Sequence, residues 1–364
     1  MLWSFAVFLA LFSAGTPGVG RELAPQQHLY DELFTKRWHK PEIRPANTAP
    51  TTVQLRLTFY SILNMNVAGE ALTVSHWFLR DWNNPILTWD PADYNGTTSI
   101  MVNDSLVWMP DIVVEERLHA EEMSATPFAI VHHDGRVVKS AMVTTTVRCP
   151  MDVHPFPFDQ HDCAMTYSSW GYDAAAVTLK SQTGEQGDLE YFQNNTEWDL
   201  LSYMCEELTT TYQLGDWSRL RCTVSLRHKA GYYVLTLALP TFLIATVGIL
   251  GLFSPRLAQT QERQEKVSGG LSALVAIIVY FSMLTMLVPK SAENFSLLGT
   301  YLLVELTVVV LATTCAVGVM YLHTLALRGS EVPPWLAVSA CIRKKAKIGA
   351  TTQEAQKIEV AKSS

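Results

Sequence analysis

The chain has no glycine-rich phosphate loop, no nucleophile elbow and no cysteine–histidine spacing of a zinc site. With those motifs missing, an enzyme is not expected, nor is a cofactor or a bound metal. One carboxylate pair, Glu115-Glu116, sits in a strand-like stretch. Neighbours on a strand point to opposite faces, so the two do not make a general acid–base pair. Charge is scarce as well. Asp, Glu, Lys and Arg make up 17% of residues, and 34 acids against 27 bases give a formal net charge of −7. No basic cluster with interleaved aromatics occurs, which argues against nucleic acid as a partner. An acidic outer domain would instead concentrate cations mildly, an effect that salt screens. Cysteine is limited to six positions in 364.

What the sequence does contain is a sharp contrast between its parts. A mixed, polar stretch runs to residue 229, and apolar runs follow at about 232–253, 267–288 and 297–325. At a rise of ~1.5 Å per residue, each is long enough to cross a hydrocarbon core of ~30 Å. The opening run Leu2–Phe12 is uncharged, apolar and followed by small residues, too short to span a bilayer. It suits a cleaved signal peptide, assigned here to residues 1–20. Basic residues occur in the linker after the first run (Arg256, Arg263, Lys266) and in the tail (Arg343, Lys344, Lys345, Lys347). The positive-inside rule places both segments in the cytosol and the signal-led half outside. The expected organisation is an extracellular domain over 21–229, membrane helices over 230–327 and a cytoplasmic segment over 328–364.

Within the outer half, residues 26–40 carry Leu29, Tyr30, Leu33 and Phe34 at helical spacing, ended by Pro41 and Pro45. From Val53 the text alternates: Val53, Leu55, Leu57 and Phe59 share one face, as in a half-buried strand. Short strands separated by turn signals such as Asn95-Gly96 and Asp134-Gly135 continue to about Arg227. The pattern predicts an all-β sandwich with a short N-terminal helix, followed by an α-helical transmembrane domain with three spans. Sequons at Asn95, Asn103 and Asn194 agree with an outside location as glycosylation sites. Cys149, Cys163, Cys205 and Cys222 precede the first span, where secretion exposes them to an oxidising compartment. Four cysteines permit three pairings; Cys149–Cys163 and Cys205–Cys222 are favoured because each closes a local hairpin. Cys315 and Cys341 are expected as free thiols.

The second apolar run carries a stripe. Glu265, Ser268, Ser272, Val275, Val279, Ser282 and Met286 recur at alternating intervals of 3 and 4, and so lie on one helix face. Small hydroxyls flanking two valines suit a water-filled pore with a hydrophobic constriction. The same serines would also serve as hydrogen-bonding contacts between neighbouring membrane helices.

Cys149 and Cys163 enclose Phe156-Pro157-Phe158-Asp159. This loop, followed by the three spans, resembles the signature of the pentameric ligand-gated (Cys-loop) channels, nearest the nicotinic acetylcholine and serotonin-gated branch. The segments Trp77…Trp82…Trp89-Asp90-Pro91, Trp108-Met109-Pro110-Asp111-Ile112 and Tyr232-Tyr233 are similar to that family's motifs. The resemblance implies a plasma-membrane, multi-pass, postsynaptic receptor subunit that forms a homo- or hetero-pentamer. It makes the Cys149–Cys163 loop a coupling element, with Phe156, Pro157, Phe158 and Asp159 at its centre. It also implies a pore lined by the second span, with Glu265 in a cation-selecting ring and Val275 at the gate. Trp170 aligns with the family's tryptophan that faces the ligand's ammonium, and Trp77 would come from the neighbouring subunit. Tyr212 and Trp217 would close a lid over the site, with Tyr172, Glu115 and Glu116 nearby. An aromatic cage of this kind favours amines, since an ammonium over an indole gains ~0.5–2 kcal/mol.

Three departures from the family pattern bear on these implications. Glu115 stands where acetylcholine-binding subunits have a tyrosine, while Glu116 resembles an acid of the serotonin-gated channels. The adjacent cysteine pair of the acetylcholine-binding lid is replaced by Thr209-Thr210-Thr211-Tyr212. A small amine-type agonist is therefore expected rather than acetylcholine in particular. No fourth apolar span follows residue 325, so the alternative reading is a non-conducting accessory subunit that binds ligand or modulates assembly.

Overall fold

The computed structural model describes residues 25–36, 40–45, 49–253, 260–288 and 295–327, with 260–266 and 326–327 described by their backbone alone. Residues 1–20, expected as a signal peptide, the Glu265 side chain, Cys341 and the segment 328–364 lie outside the described residues. The chain divides into two compact units, Met1–Gly231 with Thr285–Leu297, and Tyr232–Leu284 with Leu298–Ser364.

The first unit begins with a short helix α1 (Pro25–Tyr30) that continues through a wider turn over Asp31–Lys36 and buries Leu29 and Leu33. Eleven strands follow: β1 (Thr51–Asn66), β2 (Ala71–Thr88), β3 (Ser99–Asn103), β4 (Ile112–Val114), β5 (Glu122–Ser124), β6 (Phe128–His132), β7 (Asp134–Arg148), β8 (Gln160–Ser169), β9 (Val177–Ser181), β10 (Trp198–Tyr212) and β11 (Gly215–His228). They form two sheets. One has the order β3-β6-β7-β2-β1-β9, with β5 also beside β7, and the other the order β10-β11-β8-β4. The fold class is thus the expected β-sandwich.

Period-two burial explains why these segments are strands. Val53, Leu55, Leu57 and Phe59 are at most 3% exposed, while Gln54 points outward between them. A register shift against β2 between Phe59 and Ser61, and another between Ile62 and Asn64, rephase the far end of β1. Consequently Ile62 is buried and Leu63 exposed. The β6–β7 turn needs Gly135, whose φ of +85 suits a residue without a side chain; a Cβ there would lie 2.6 Å from the Asn84 carbonyl oxygen. One buried cation, Lys139, is neutralised rather than stranded: its ammonium donates to Asp104 at 2.7 Å and to the Phe128 carbonyl at 3.1 Å.

The second unit is helical. Helix α2 (Gly231–Phe253), α3 (Thr260–Leu287) and α4 (Leu297–Leu327) carry apolar stretches long enough to cross a membrane. Helix α3 begins at Thr260, within the stretch that hydropathy treats as a linker, because Thr260–Lys266 is polar yet built of good helix formers. Its Gly270, Ala273, Ile277 and Leu284 are buried. A Cβ on Gly270 would sit 2.8 Å from Thr313 Oγ1, and one on Gly248 3.1 Å from Ala273 Cβ. Small residues thus let the three helices approach closely, as membrane packing requires. The lone acid of α4, Glu305, accepts a hydrogen bond from Tyr301.

Candidate functional site

Both disulfides form in the first unit, joining Cys149 to Cys163 and Cys205 to Cys222. The second joins residues directly opposite one another on β10 and β11. Beyond that bridge the hairpin runs to a two-residue turn, Gln213-Leu214, with Gly215 taking φ of +136. Strand β8 pairs with β11 only from Arg227 up to Arg219, opposite Ser168. The tip from Thr210 to Ser218 is therefore two-stranded.

Under this tip lies an open cavity of about 590 Å3, lined by Glu115, Ser168, Ser169, Trp170, Tyr212, Gln213, Leu214, Trp217 and Arg219. Strand β8 and the turn after it supply Ser169 and Trp170; the hairpin supplies Tyr212, Trp217 and Arg219. Trp170 presents its indole outward at 78% exposure, an unusual state for so large an apolar side chain. It is held by its neighbours: Asp111 accepts from the Ser169 hydroxyl at 2.5 Å and from the Gly171 N–H at 2.6 Å. Tyr212 and Trp217 meet edge to face with centroids 5.9 Å apart.

Sequence reasoning overlooked Arg219. Its guanidinium pairs with the Glu115 carboxylate at 2.9 Å, lies 5.1 Å from the centre of the Tyr212 ring, and donates to the Tyr212 hydroxyl and, at 3.3 Å, to Thr210. Glu115 therefore reaches the cavity as an ion pair. Glu116 does not reach it. Both acids lie in the turn after β4 and not on a strand as the sequence suggests, and the two Glu116 oxygens accept from the Thr166 N–H at 2.7 Å and the Thr166 hydroxyl at 2.6 Å. Tyr172 lies partly buried and edge-on to the buried Trp108, 5.9 Å away, so it braces Trp170's turn rather than lining the cavity. Trp77, on β2 of the other sheet, is 48% exposed and stacks on Tyr191; it is not among the lining residues of its own chain.

The Cys149–Cys163 loop folds inward. Phe156 and Pro157 are buried, Phe158 is 58% exposed, and Asp159 is fully buried. The Asp159 carboxylate is 2.6 Å from His161 Nε2 and 2.9 Å from His228 Nδ1, and its carbonyl accepts from the His228 N–H at 3.0 Å. His228 in turn stacks on Trp198 at 4.3 Å. Burial alone would raise the Asp159 carboxyl, but the hydrogen bonds from His161 and His228 outweigh it and hold the group down to about 2. In the same unit the His154 carbonyl accepts from the Leu297 N–H at 2.8 Å.

On α3 the residues Ser268, Ser272, Val275, Val279, Ser282 and Met286 are all exposed within the single chain, Val275 at 62%. At 100° per residue their mean direction is roughly 170° from that of the buried Gly270, Ala273, Ile277 and Leu284. The Ser272 and Ser282 hydroxyls donate to carbonyls one turn back, at 2.9 Å each. The sequon residues Asn95, Asn103 and Asn194 are exposed.

Comparison with known proteins gives the chain's relatives. Residues 26–230 match the neurotransmitter-gated ion-channel ligand-binding domain. The human neuronal acetylcholine receptor subunit alpha-10 is 31% identical over 350 residues, covering 93% of this chain and 76% of the relative. The chicken (Gallus gallus) subunit alpha-9 is 29% identical over 319 residues, covering 86% of this chain and 64% of the relative. The guinea-pig (Cavia porcellus) 5-hydroxytryptamine receptor 3A is 27% identical over 319 residues, covering 85% and 63%.

Proposed function

This chain belongs to the Cys-loop family of neurotransmitter-gated ion channels, and from that premise we propose that it is a cation-passing subunit opened by a small amine. It is a plasma-membrane subunit of the nicotinic and 5-HT3 type with an extracellular ligand-binding domain, and not an enzyme. The observation that carries the amine reading is the cavity under the hairpin tip, where Trp170, Tyr212 and Trp217 surround a carboxylate, Glu115. Aromatic faces and one acid favour a protonated or quaternary amine over an anion. Trp77 lines no cavity of its own chain, so in our reading it completes the box from the neighbouring subunit of a homo- or hetero-pentamer. Glu116 and Tyr172 act as supports of the box.

The pore reading rests on α3. Its hydroxyl-and-valine stripe is exposed, opposite the face that packs on α2 and α4, which supports a lining role in a ring of five helices. Glu265 then rings the inner mouth with five carboxylates, which attract cations and repel anions. Ligand closing the Cys205–Cys222 hairpin strains β11, whose last residue His228 holds Asp159. The Phe156–Asp159 loop passes that strain to the segment before Leu297 and so to α3, wetting the Val275–Val279 constriction. Sugars on Asn95, Asn103 and Asn194, removal of residues 1–20 and a postsynaptic location complete the proposal. The test is expression in oocytes, alone and with related subunits, against a panel of small amines. Evoked current should reverse with the sodium gradient; a reversal that follows chloride refutes the cation assignment.

A further inference from the structure

The lining of the hairpin cavity contains a cation of its own. Arg219 spends its guanidinium on the features an amine ligand would use, the Glu115 carboxylate at 2.9 Å and the Tyr212 ring at 5.1 Å. Its side chain is only 17% exposed and Glu115's 28%, so the pair is partly withdrawn from solvent. The contact with Glu115 is an ion pair and not a well-aligned hydrogen bond, because Nε lacks the geometry of a donor. Arg219 also stands at the last rung where β11 pairs with β8, opposite Ser168. The strand root is thus fixed by the ladder, while the guanidinium above it is held, among the described residues, only by Glu115, Tyr212 and Thr210.

We propose that Arg219 is a tethered internal cation that occupies the amine site of the empty receptor, so that an ammonium ligand binds by displacing it from Glu115 and Tyr212. This rests on the reading of the cavity as an amine site and deepens it. A permanently charged, rigidly forked guanidinium competes for the same quadrupole and the same carboxylate as the ligand. A site whose competent state is partly withheld binds with an apparent affinity lowered by the competent fraction. Arg219 then sets the threshold of the receptor and screens out weakly held cations, which cannot repay the displaced contacts. It also leaves the empty cavity neutral: with Arg219 present the lining carries one acid and one base, and without it a single exposed negative charge.

The experiment is calorimetric titration of the detergent-solubilised full chain with tetramethylammonium, comparing wild type with Arg219→Gln, Tyr212→Phe, Glu115→Gln and Trp170→Ala. Arg219→Gln should bind on the order of tenfold tighter, the worth of one cation–π contact plus the unmasked carboxylate. Tyr212→Phe keeps the aromatic face but removes one anchor of the guanidinium, and should also tighten binding. Glu115→Gln should weaken it. A purely structural role for Arg219 gives the opposite sign, looser binding in both Arg219→Gln and Tyr212→Phe, and overturns the proposal; so does unchanged affinity. Tyr212→Phe carries the test if Arg219→Gln does not fold. If Trp170→Ala binds like wild type, the amine-site reading itself fails. If Trp170→Ala loses binding while Arg219→Gln gains none, only the tethered-cation proposal fails. Binding by Arg219→Gln alone supports the proposal, and binding by neither it nor wild type sinks both.

Discussion

Replacing Asp159 by Asn tests whether the centre of the Cys149–Cys163 loop is held by charge. The carboxylate is fully buried and serves both His161 and His228. An amide of the same shape keeps one oxygen acceptor and presents an NH2 group to the second histidine. One charge-assisted hydrogen bond is lost and the other weakened, a cost of about 2–3 kcal/mol. Linkage gives a similar figure. The Asp159 carboxyl is held to about 2 against an ordinary 3.8, and nearly two pH units correspond to about 2 kcal/mol at neutral pH. Because the folded value lies below the unfolded one, this stability is present above about pH 4 and is lost as pH falls through about 2. For a domain of this size the expected drop in the ectodomain's melting temperature is about 5–10 °C at pH 7. The assay is thermal unfolding of the solubilised full chain at pH 7 and again near pH 3, followed by near-ultraviolet circular dichroism. The gap between wild type and variant should narrow at the lower pH. A melting temperature unchanged within about 1 °C at pH 7 would show that the charge on Asp159 contributes nothing there and refute the reasoning.

His76 supplies a second pH dependence, of a different kind. Burial pushes its imidazole down to about 4 from 6.5, so the unfolded chain takes a proton that the folded chain refuses. Stability should fall as pH drops from about 6.5 to about 4, and His76→Phe should flatten that slope in melts at pH 7.5 and 5; an equal slope in both proteins contradicts it. In the helical unit, Val275→Ser should wet the constriction and raise current in the absence of agonist, while Ser272→Cys should be blocked by a water-soluble thiol reagent applied during activation. No leak and no block would remove α3 from the pore.

Much of the fold is legible because its signals are periodic and local. Alternation at Val53–Phe59, turn residues at Asp134-Gly135 and the fifteen-residue span from Cys149 to Cys163 each report on neighbours in sequence. Where the backbone departs from its own period, the text gives no warning: the bulges in β1 put Ile62 inside and Leu63 outside without any change in composition. The cavity under the hairpin tip is legible in its aromatics, since Trp170, Tyr212 and Trp217 all stand out in the sequence and all line it. Its electrostatics are not. Arg219 reads as an ordinary solvated residue on a strand, and its partner Glu115 lies in a turn more than a hundred residues earlier. The Glu115-Glu116 pair shows the same limit at close range: strand alternation does not apply, because both residues lie in the turn after β4, and the ion pair to Arg219 and the bonds to Thr166 decide which of the two reaches the cavity. Nothing in the sequence marks His161 as one arm of a buried clasp, because the other arm, His228, comes from the far end of the domain.

The hairpin tip has a kinetic consequence. Strand β8 stops pairing at Arg219, so beyond it the stretch from Thr210 to Ser218 is tied to the rest of the domain by single bonds: the Asp216 carbonyl accepts from the Ala174 N–H at 2.7 Å and the Ser218 hydroxyl oxygen from the Leu179 N–H at 2.9 Å. A two-stranded ribbon of this length has little stability of its own and relaxes on the microsecond scale typical of hairpins. Movement of the tip therefore turns on those two bonds and on the Arg219 contacts, and not on the β8–β11 ladder. Substitutions confined to the tip should change how long the channel stays open after agonist is withdrawn, while leaving the folding of the domain beneath it untouched.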